Sequence, residues 1–345
     1  MIKACLAKLM AGCDLTRNEA EGVMAEIMDG EATSAQMAGF LTALRLKGEC
    51  ADEVAGCTAA MRQRVIRVEP LRQDLVDTAG TGGDGAGTFN ISTTAAFVVA
   101  GAGLAVAKHG NRAVSGQCGS ADVLEQLGVN LDLTPTQTAR CIDEVGIGFL
   151  FAPRLHPAMK NVAAVRHELG VRTVFNILGP LANPARAAVQ IIGTFEVRLV
   201  RLMAEVLLTL GCRAAFVFHS SDGLDELTTS GVNYVARVCS GTIVEERFDA
   251  AELDLPSASR HDLLGGSPRE NARITRSILA GSERGPRRDV VLLNASAAIF
   301  AAGAASGLRE GMKRAAEAID SGRALQALDS LTALSSSMCK SSLAA

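Results

Sequence analysis

Between Asp77 and Thr93 the chain reads Asp77-Thr78-Ala79-Gly80-Thr81-Gly82-Gly83-Asp84-Gly85-Ala86-Gly87-Thr88-Phe89-Asn90-Ile91-Ser92-Thr93. Five glycines are interleaved with Thr, Asp, Asn and Ser. A short apolar run, Leu75-Val76, precedes them, and a helix-compatible segment, Ala95–Ala100, follows. Strand, glycine-rich turn and helix N-terminus is the order a phosphate-cradling loop needs; the alternative is a tight glycine-rich connection that holds no ligand. Glycine permits positive φ and close backbone approach, so several N–H groups can converge on one anion. The following helix adds its positive dipole end. Ser92, Thr93 and Thr94 offer hydroxyls there, to cap the helix or to touch a phosphate or its metal. No Lys follows the last glycine and the glycine spacing is not that of a dinucleotide fingerprint, so neither common nucleotide loop is present.

Further chemistry-bearing groups follow other apolar runs. Lys108-His109-Gly110-Asn111-Arg112 comes after Leu104–Ala107 and supplies two cations and two further donors, suited to a diphosphate. Gly116, Gly119 and Ser120 extend that loop, and Ser120 opens a helix with a second anion-binding end. Cys118 has no base nearby in sequence and reads as structural. Asp222-Gly223-Leu224-Asp225-Glu226 follows Ala214–Phe218; in a turn its carboxylates can converge, and oxygen ligands plus substrate phosphates suit Mg²⁺. The alternative is an ordinary solvated acidic turn. Arg166 sits in an amphipathic stretch, where it is either solvated or turned inward to hold a carboxylate. His156 reads as a satisfied core histidine at a helix entry, and Asn176–Pro184 as a rigid pocket wall.

These residues need a scaffold that brings strand ends together. Across 345 residues the hydrophobic fraction is 48% and the charged fraction 21%, which supports a sizeable core. Residues 1–70 read as short helices, with capping-box starts at Thr16–Glu19 and Thr33–Gln36. From about Leu71, short β-rich runs alternate with amphipathic segments such as Val197–Leu210. The expected fold is therefore α/β: a small all-helical N-terminal domain (1–70), a larger domain (71–334) with a mainly parallel central sheet, and a frayed polar tail (335–345). Ligands then gather at the carboxyl ends of the strands. Helices are expected at Ser296–Ser306 and Leu308–Asp320, with Ser296 as an N-cap.

Net charge is -3, which gives no electrostatic footprint for nucleic acid. Nine cysteines without a CxxC pair argue against a disulfide framework or a structural zinc site, and fit a reducing cytoplasm. No apolar run is long enough to cross a bilayer and no signal-peptide pattern opens the chain.

Asp77–Thr93, Lys108–Leu127, His156–Arg166, Asn176–Pro184 and Asp222–Glu226, with Leu263-Leu264-Gly265-Gly266 and Asn271-Ala272 downstream, together resemble the anthranilate phosphoribosyltransferase family. The likeness runs in order over nearly the whole chain. It implies a helical domain completed by part of 157–181, an α/β domain, a site in the cleft between them and a homodimer. The implied substrates are anthranilate and phosphoribosyl pyrophosphate (PRPP), with two Mg²⁺ ions. Carried over, Gly80, Gly83, Asp84, Thr88, Asn90, Ile91, Ser92 and Thr93 line the PRPP site. Lys108, His109, Gly110, Asn111, Arg112, Ala113, Val114, Ser115 and Gly116 form a second PRPP loop, with Ser120 beyond it. Gly80, Asn111 and Arg166 contact anthranilate; Ser92, Asp225 and Glu226 bind metal. Two departures stand out: many relatives carry Lys at Gln117, and His or Tyr at Leu155. No catalytic acid–base pair is implied.

Three other readings stay open. A pyrimidine nucleoside phosphorylase of the same fold carries Lys-x-Ser-Thr-Gly-Gly in its first loop, unlike Asp77–Asp84 here. A nucleic-acid-binding paralogue should be strongly basic. A non-enzymatic relative should have lost loop glycines or the acidic pair.

Overall fold

The computed structural model describes residues 1–113 and 116–342. Four helices open the chain: α1 (Ile2–Met10), α2 (Arg17–Met28), α3 (Ser34–Lys47) and α4 (Ala51–Gln63). Thr16 and Thr33 start α2 and α3 with full capping boxes, each side chain accepting from the N3 amide while Glu19 or Gln36 accepts from the cap's own N–H.

β1 (Val76–Asp77), α5 (Ile91–Gly101), β2 (Val106–Gly110), α6 (Ser120–Gln126), α7 (Pro135–Val145) and β3 (Ile147–Phe151) follow. Next come α8 (Ala152–Leu155), α9 (Lys160–Leu169), α10 (Phe175–Leu181), β4 (Val189–Gly193), α11 (Arg198–Thr209) and β5 (Ala214–Ser220). The chain continues through β6 (Val232–Cys239), β7 (Thr242–Asp249), α12 (Pro268–Leu279), α13 (Pro286–Ala301), α14 (Leu308–Asp320) and α15 (Arg323–Ser342).

The seven strands form one sheet in the order β3-β2-β1-β4-β5-β6-β7. β1 to β5 are parallel, and β6 and β7 add an antiparallel edge. Both faces are covered, so the central strands are buried on both sides. In β5, Phe216 and Phe218 enter one core with α5, α12, α13 and α14, while Ala215 and Val217 enter the other. That second core is shared by α1 to α4, α9, α10 and α11. The segment 160–181 thus packs with the N-terminal helices, although 96 residues of sequence separate Lys160 from Arg64, just past α4.

Two sequence expectations are corrected, and one element went unread. The 335–342 segment is the end of α15: Ala324, Leu328, Leu331, Ser335 and Met338 keep helical spacing and are buried, and the Ser335 hydroxyl oxygen accepts from Asn130 N–H at 3.1 Å. Packing decides that helix against its polar composition; residues 343–345 lie outside the described residues. Ser296 is an interior residue of α13, and its hydroxyl donates to the Leu293 carbonyl at 2.6 Å. The hairpin β6–β7 was missed, although Ser240-Gly241 joins its strands with both residues at positive φ, the turn such a two-residue connection requires.

Candidate active site

Chain order reverses between β1 and β4, which opens a crevice at their carboxyl ends. The glycine loop leaves β1 there and crosses to β4: Thr81 N–H donates to the Gly193 carbonyl at 2.9 Å, and Phe195 N–H to Thr81 Oγ1 at 3.1 Å. Gly82, Gly83, Gly85 and Gly87 take φ of 65°, 77°, 68° and 68°, a region closed to most side chains. Among the described residues, the N–H groups of Gly83, Asp84, Gly85 and Gly87 have no partner. The far side of the loop is pinned. Phe89 N–H donates to Leu263, Gly265 N–H to Gly87, and Asn271 Nδ2 to Asn90 Oδ1, at 3.0, 2.9 and 3.0 Å.

Facing the loop is the turn between β5 and β6. Asp225 Oδ2 accepts from Gly82 N–H at 2.6 Å, and Glu226 Oε1 from Ser92 N–H, at the start of α5, at 3.0 Å. Asp84 Oδ2 approaches Asp225 N at 3.4 Å. Asn294 of α13 fixes the turn from behind, accepting from Leu227 N–H and donating to the Leu227 carbonyl, both at 3.0 Å. Thr78, Gly80, Ser92, Gly193, Asp225 and Glu226 line one cleft.

Charge in this cleft is unbalanced. Loss of water pushes the Asp225 carboxyl well above the usual range, and the neighbouring Glu226 and Asp84 push it further. Glu226 rises to about 7 for the same first reason, partly opposed by Lys108. Lys108 is itself buried, and burial holds its pKa down; its Nζ donates to the carbonyl and hydroxyl of Thr78 at 3.2 and 3.1 Å. Asp225 and Glu226, with Lys108 as their neighbouring cation, leave carboxylate oxygens that suit a hard divalent cation.

Several expected loop residues sit elsewhere. β2 runs to Gly110, so Lys108 and His109 are buried strand residues rather than loop donors. His109 Nδ1 donates to the Gly179 carbonyl, 3.1 Å away, and its Nε2 meets His156 Nε2 at 3.1 Å. A carbonyl can only accept, so His109 carries its proton on Nδ1 and His156 donates through Nε2. His156 Nδ1 is left buried without a partner, against the expectation of a satisfied core histidine.

The loop after β2 is tied to α6. Arg112 forms ion pairs with Asp122 and Glu125 at 3.1 and 2.9 Å, and Asp122 Oδ2 also accepts from Ala113 and Gly119 N–H. The α6 N-terminus is therefore already supplied with an anion by its own chain, and Ser120 Oγ is engaged with the Asn111 backbone. Gly116 is exposed; Val114 and Ser115 lie outside the described residues. In the first loop, the side chains of Ile91 and Thr93 are buried, so neither reaches the cleft surface. Ile91 is a core residue because it opens the apolar face of α5, and its N–H goes to Phe89 at 2.7 Å.

Arg166 is turned inward on α9. Its guanidinium lies 5.2 Å from the centre of the Phe175 ring, with no carboxylate partner among the described residues, and burial lowers its pKa. The α10 helix that carries Phe175 also carries Gly179, the partner of His109. Sequence reading missed Arg172, whose Nη2 donates to the Gly83 carbonyl, and Asn183, whose Nδ2 donates to buried Asp77 at 2.7 Å. It also missed Asn294. A polar residue inside the apolar run Leu292-Leu293-Asn294-Ala295 was the available signal for that one; Arg172 had none, because its partner is a backbone carbonyl 89 residues away.

The fold and its cleft belong to a known class. Residues 3–65 match the helical bundle domain of the glycosyl transferase family, and residues 72–325 match its a/b domain. Anthranilate phosphoribosyltransferase from Symbiobacterium thermophilum is 54% identical over 328 residues, covering 95% of this chain and 96% of the relative. The enzyme of that name from Desulforudis audaxviator is 56% identical, covering 96% and 95%. The crystal structure of anthranilate phosphoribosyltransferase from Thermus thermophilus superposes with a TM-score of 0.90 at 44% identity, covering 96% of this chain and 98% of that one. The Saccharomyces cerevisiae enzyme in complex with PRPP and Mg superposes at 0.89 with 26% identity, covering 97% and 98%. The chain therefore belongs to the glycosyl transferase family with these two domains and, within it, to the anthranilate phosphoribosyltransferases.

Proposed function

We propose that this chain transfers the phosphoribosyl group of PRPP to the amine of anthranilate, giving N-(5′-phosphoribosyl)anthranilate and pyrophosphate, the second step of tryptophan biosynthesis. One observation carries this reading. Four unpartnered backbone N–H groups lie on the same loop as Asp84 and the Asp225 contact, so an anion cradle and a cation site adjoin. A metal diphosphate needs both at once; free phosphate needs only the first. This favours PRPP over the substrates of a nucleoside phosphorylase.

The residues divide as follows. Gly80, Gly83, Asp84, Thr88 and Asn90 form the PRPP cradle, with Ser92 at the start of α5. Asp225, Glu226 and Ser92 hold Mg²⁺, in two sites. Bound there, the metal supplies charge neutralisation for the departing pyrophosphate. Arg166, free of any carboxylate, grips the carboxylate of anthranilate, with Gly80 and Asn111 beside it, and aims the amine at the anomeric carbon. The bond from that carbon to the pyrophosphate oxygen breaks as the bond to nitrogen forms. Positive charge develops on the ribose ring, so alignment and electrostatics carry the rate, and no strong base is required. The half-buried Gly80 leaves room for this approach, because a Cβ there would stand 3.1 Å from Asp225 Oδ2. The homodimer implied by the family resemblance belongs to this reading. No helix among the described residues is long and apolar enough to cross a membrane, which is compatible with a cytoplasmic enzyme.

The test is a Mg²⁺ titration of activity in the wild type and in Glu226→Gln. The variant should need about tenfold more Mg²⁺ for half-maximal rate. An unchanged titration would remove Glu226 from the metal site.

A further inference from the structure

We infer that Arg172 is a positioning residue that orients the Gly83–Asp84 peptide of the glycine loop from across the cleft. The inference rests on the PRPP reading of that loop. Arg172 lies in the turn between α9 and α10, in the helical layer, whereas the loop leaves the central sheet. Its Nη2 donates to the Gly83 carbonyl. The guanidinium lies flat enough against Phe195, just past β4, to place Cζ 4.1 Å from the ring centre, and Nη1 stands 3.9 Å from Glu196. Glu196 in turn pairs with Arg45 of α3 and with Arg198. The hand that holds the loop is thus anchored at three points: an aromatic shelf, a carboxylate and the helical layer behind it.

The consequence follows from the planarity of the peptide bond. In a trans peptide, C=O and N–H point in opposite directions. Fixing the Gly83 carbonyl on Arg172 therefore turns the Asp84 N–H away from Arg172, and that N–H is one of the four without a partner. A cationic donor on the carbonyl also polarises the peptide and strengthens its N–H as a donor to an anion. Gly83 is at φ 77°, and its neighbour Gly82 is held on the opposite side by Asp225. With Gly83 on its N-terminal side and Gly85 just beyond Asp84, an otherwise free Gly83–Asp84 peptide could flip; Arg172 selects one orientation. A planar, five-donor guanidinium that stacks on a ring does this, and a lysine cannot.

The experiment compares wild type with Arg172→Ala, Arg172→Lys and Phe195→Leu. Arg172→Ala should raise KM for PRPP about tenfold, the loss of one charge-assisted hydrogen bond, and leave KM for anthranilate within about twofold. Arg172→Lys should rescue little, and Phe195→Leu should shift KM for PRPP in the same direction by less. Independently of activity, amide hydrogen exchange over residues 80–88 should quicken in Arg172→Ala while that of β4 and β5 stays unchanged. Unchanged exchange and unchanged KM for PRPP would overturn the inference. Equal rises in both KM values would also overturn it. Quickened exchange in a protein whose wild type does not use PRPP would uphold the latch and fail the substrate reading, so the two failures are distinct.

Discussion

Gly193 ends β4 where the acidic turn crosses the sheet, and its missing side chain is what lets the two meet. A Cβ there would collide with the Asp225 carbonyl oxygen. Backbone cannot yield as a long side chain can, so Gly193→Ala must push away the turn that carries Asp225 and Glu226. The expected cost is about 1–3 kcal/mol of stability, with activity falling further than stability explains. Denaturant unfolding beside a Mg²⁺-dependent assay checks this; wild-type activity in the variant would contradict it. At this scale the Asp77–Thr93 loop and the Asp222–Glu226 turn were singled out from residue type and spacing, and Gly83 and Asp84 individually only through the family resemblance. The structure brings loop and turn together through Gly82, which was not named among them. The side chains of Ile91 and Arg112 are already engaged by the fold, each for a physical reason. An apolar residue inside a polar motif was already committed to the helix face behind it, and an exposed cation was committed to the acids of the next helix.

Among elements, β2 differs most from its sequence reading. It was expected at Leu104–Ala107 and runs from Val106 to Gly110, in register with β3 along its whole length. Pairing with a neighbour set the end of the strand, so polar Lys108 and His109 went inside. The resulting His109–His156 contact ties β2 to the turn after α8. Burial, reinforced by the neighbouring His156, holds His109 down at about 3, and burial holds His156 at about 4. Unfolded, both titrate near about 6.5. The unfolded chain then binds more protons as acidity rises, so their contribution to stability is complete above about pH 6.5 and is lost as pH falls through about 4. Denaturant midpoints should drop between about pH 7 and about pH 5, and His109→Asn should flatten that slope. A slope unaltered in the variant would assign the acid sensitivity to other groups. The end of α15 escaped notice because its stability comes from packing partners that local composition does not reveal, whereas the β6–β7 hairpin carried a local turn signal, Ser240-Gly241, that was passed over.

At the scale of the whole molecule, one sheet sorts its side chains into two large cores and a smaller cluster around Ala107 and Leu150, and the second large core is shared with the N-terminal helices. The alternation of apolar runs and amphipathic segments made this α/β plan readable in advance. The sharing of the helical layer between residues 1–63 and the distant α9 and α10 was not readable from local pattern. It came only from likeness to a family, because it depends on contacts between segments far apart in sequence. That arrangement brings Arg172 onto the glycine loop that leaves the sheet, and turns Arg166 inward beside Phe175. The central claim is that the cleft joins anthranilate to a metal-bound PRPP. It is tested most directly by following anthranilate fluorescence with the purified protein, PRPP and Mg²⁺, beside a matched sample containing EDTA. The signal should decay only when all three components are present, and the decay should stop when the metal is chelated. A steady signal with folded protein, PRPP and Mg²⁺ present would contradict it.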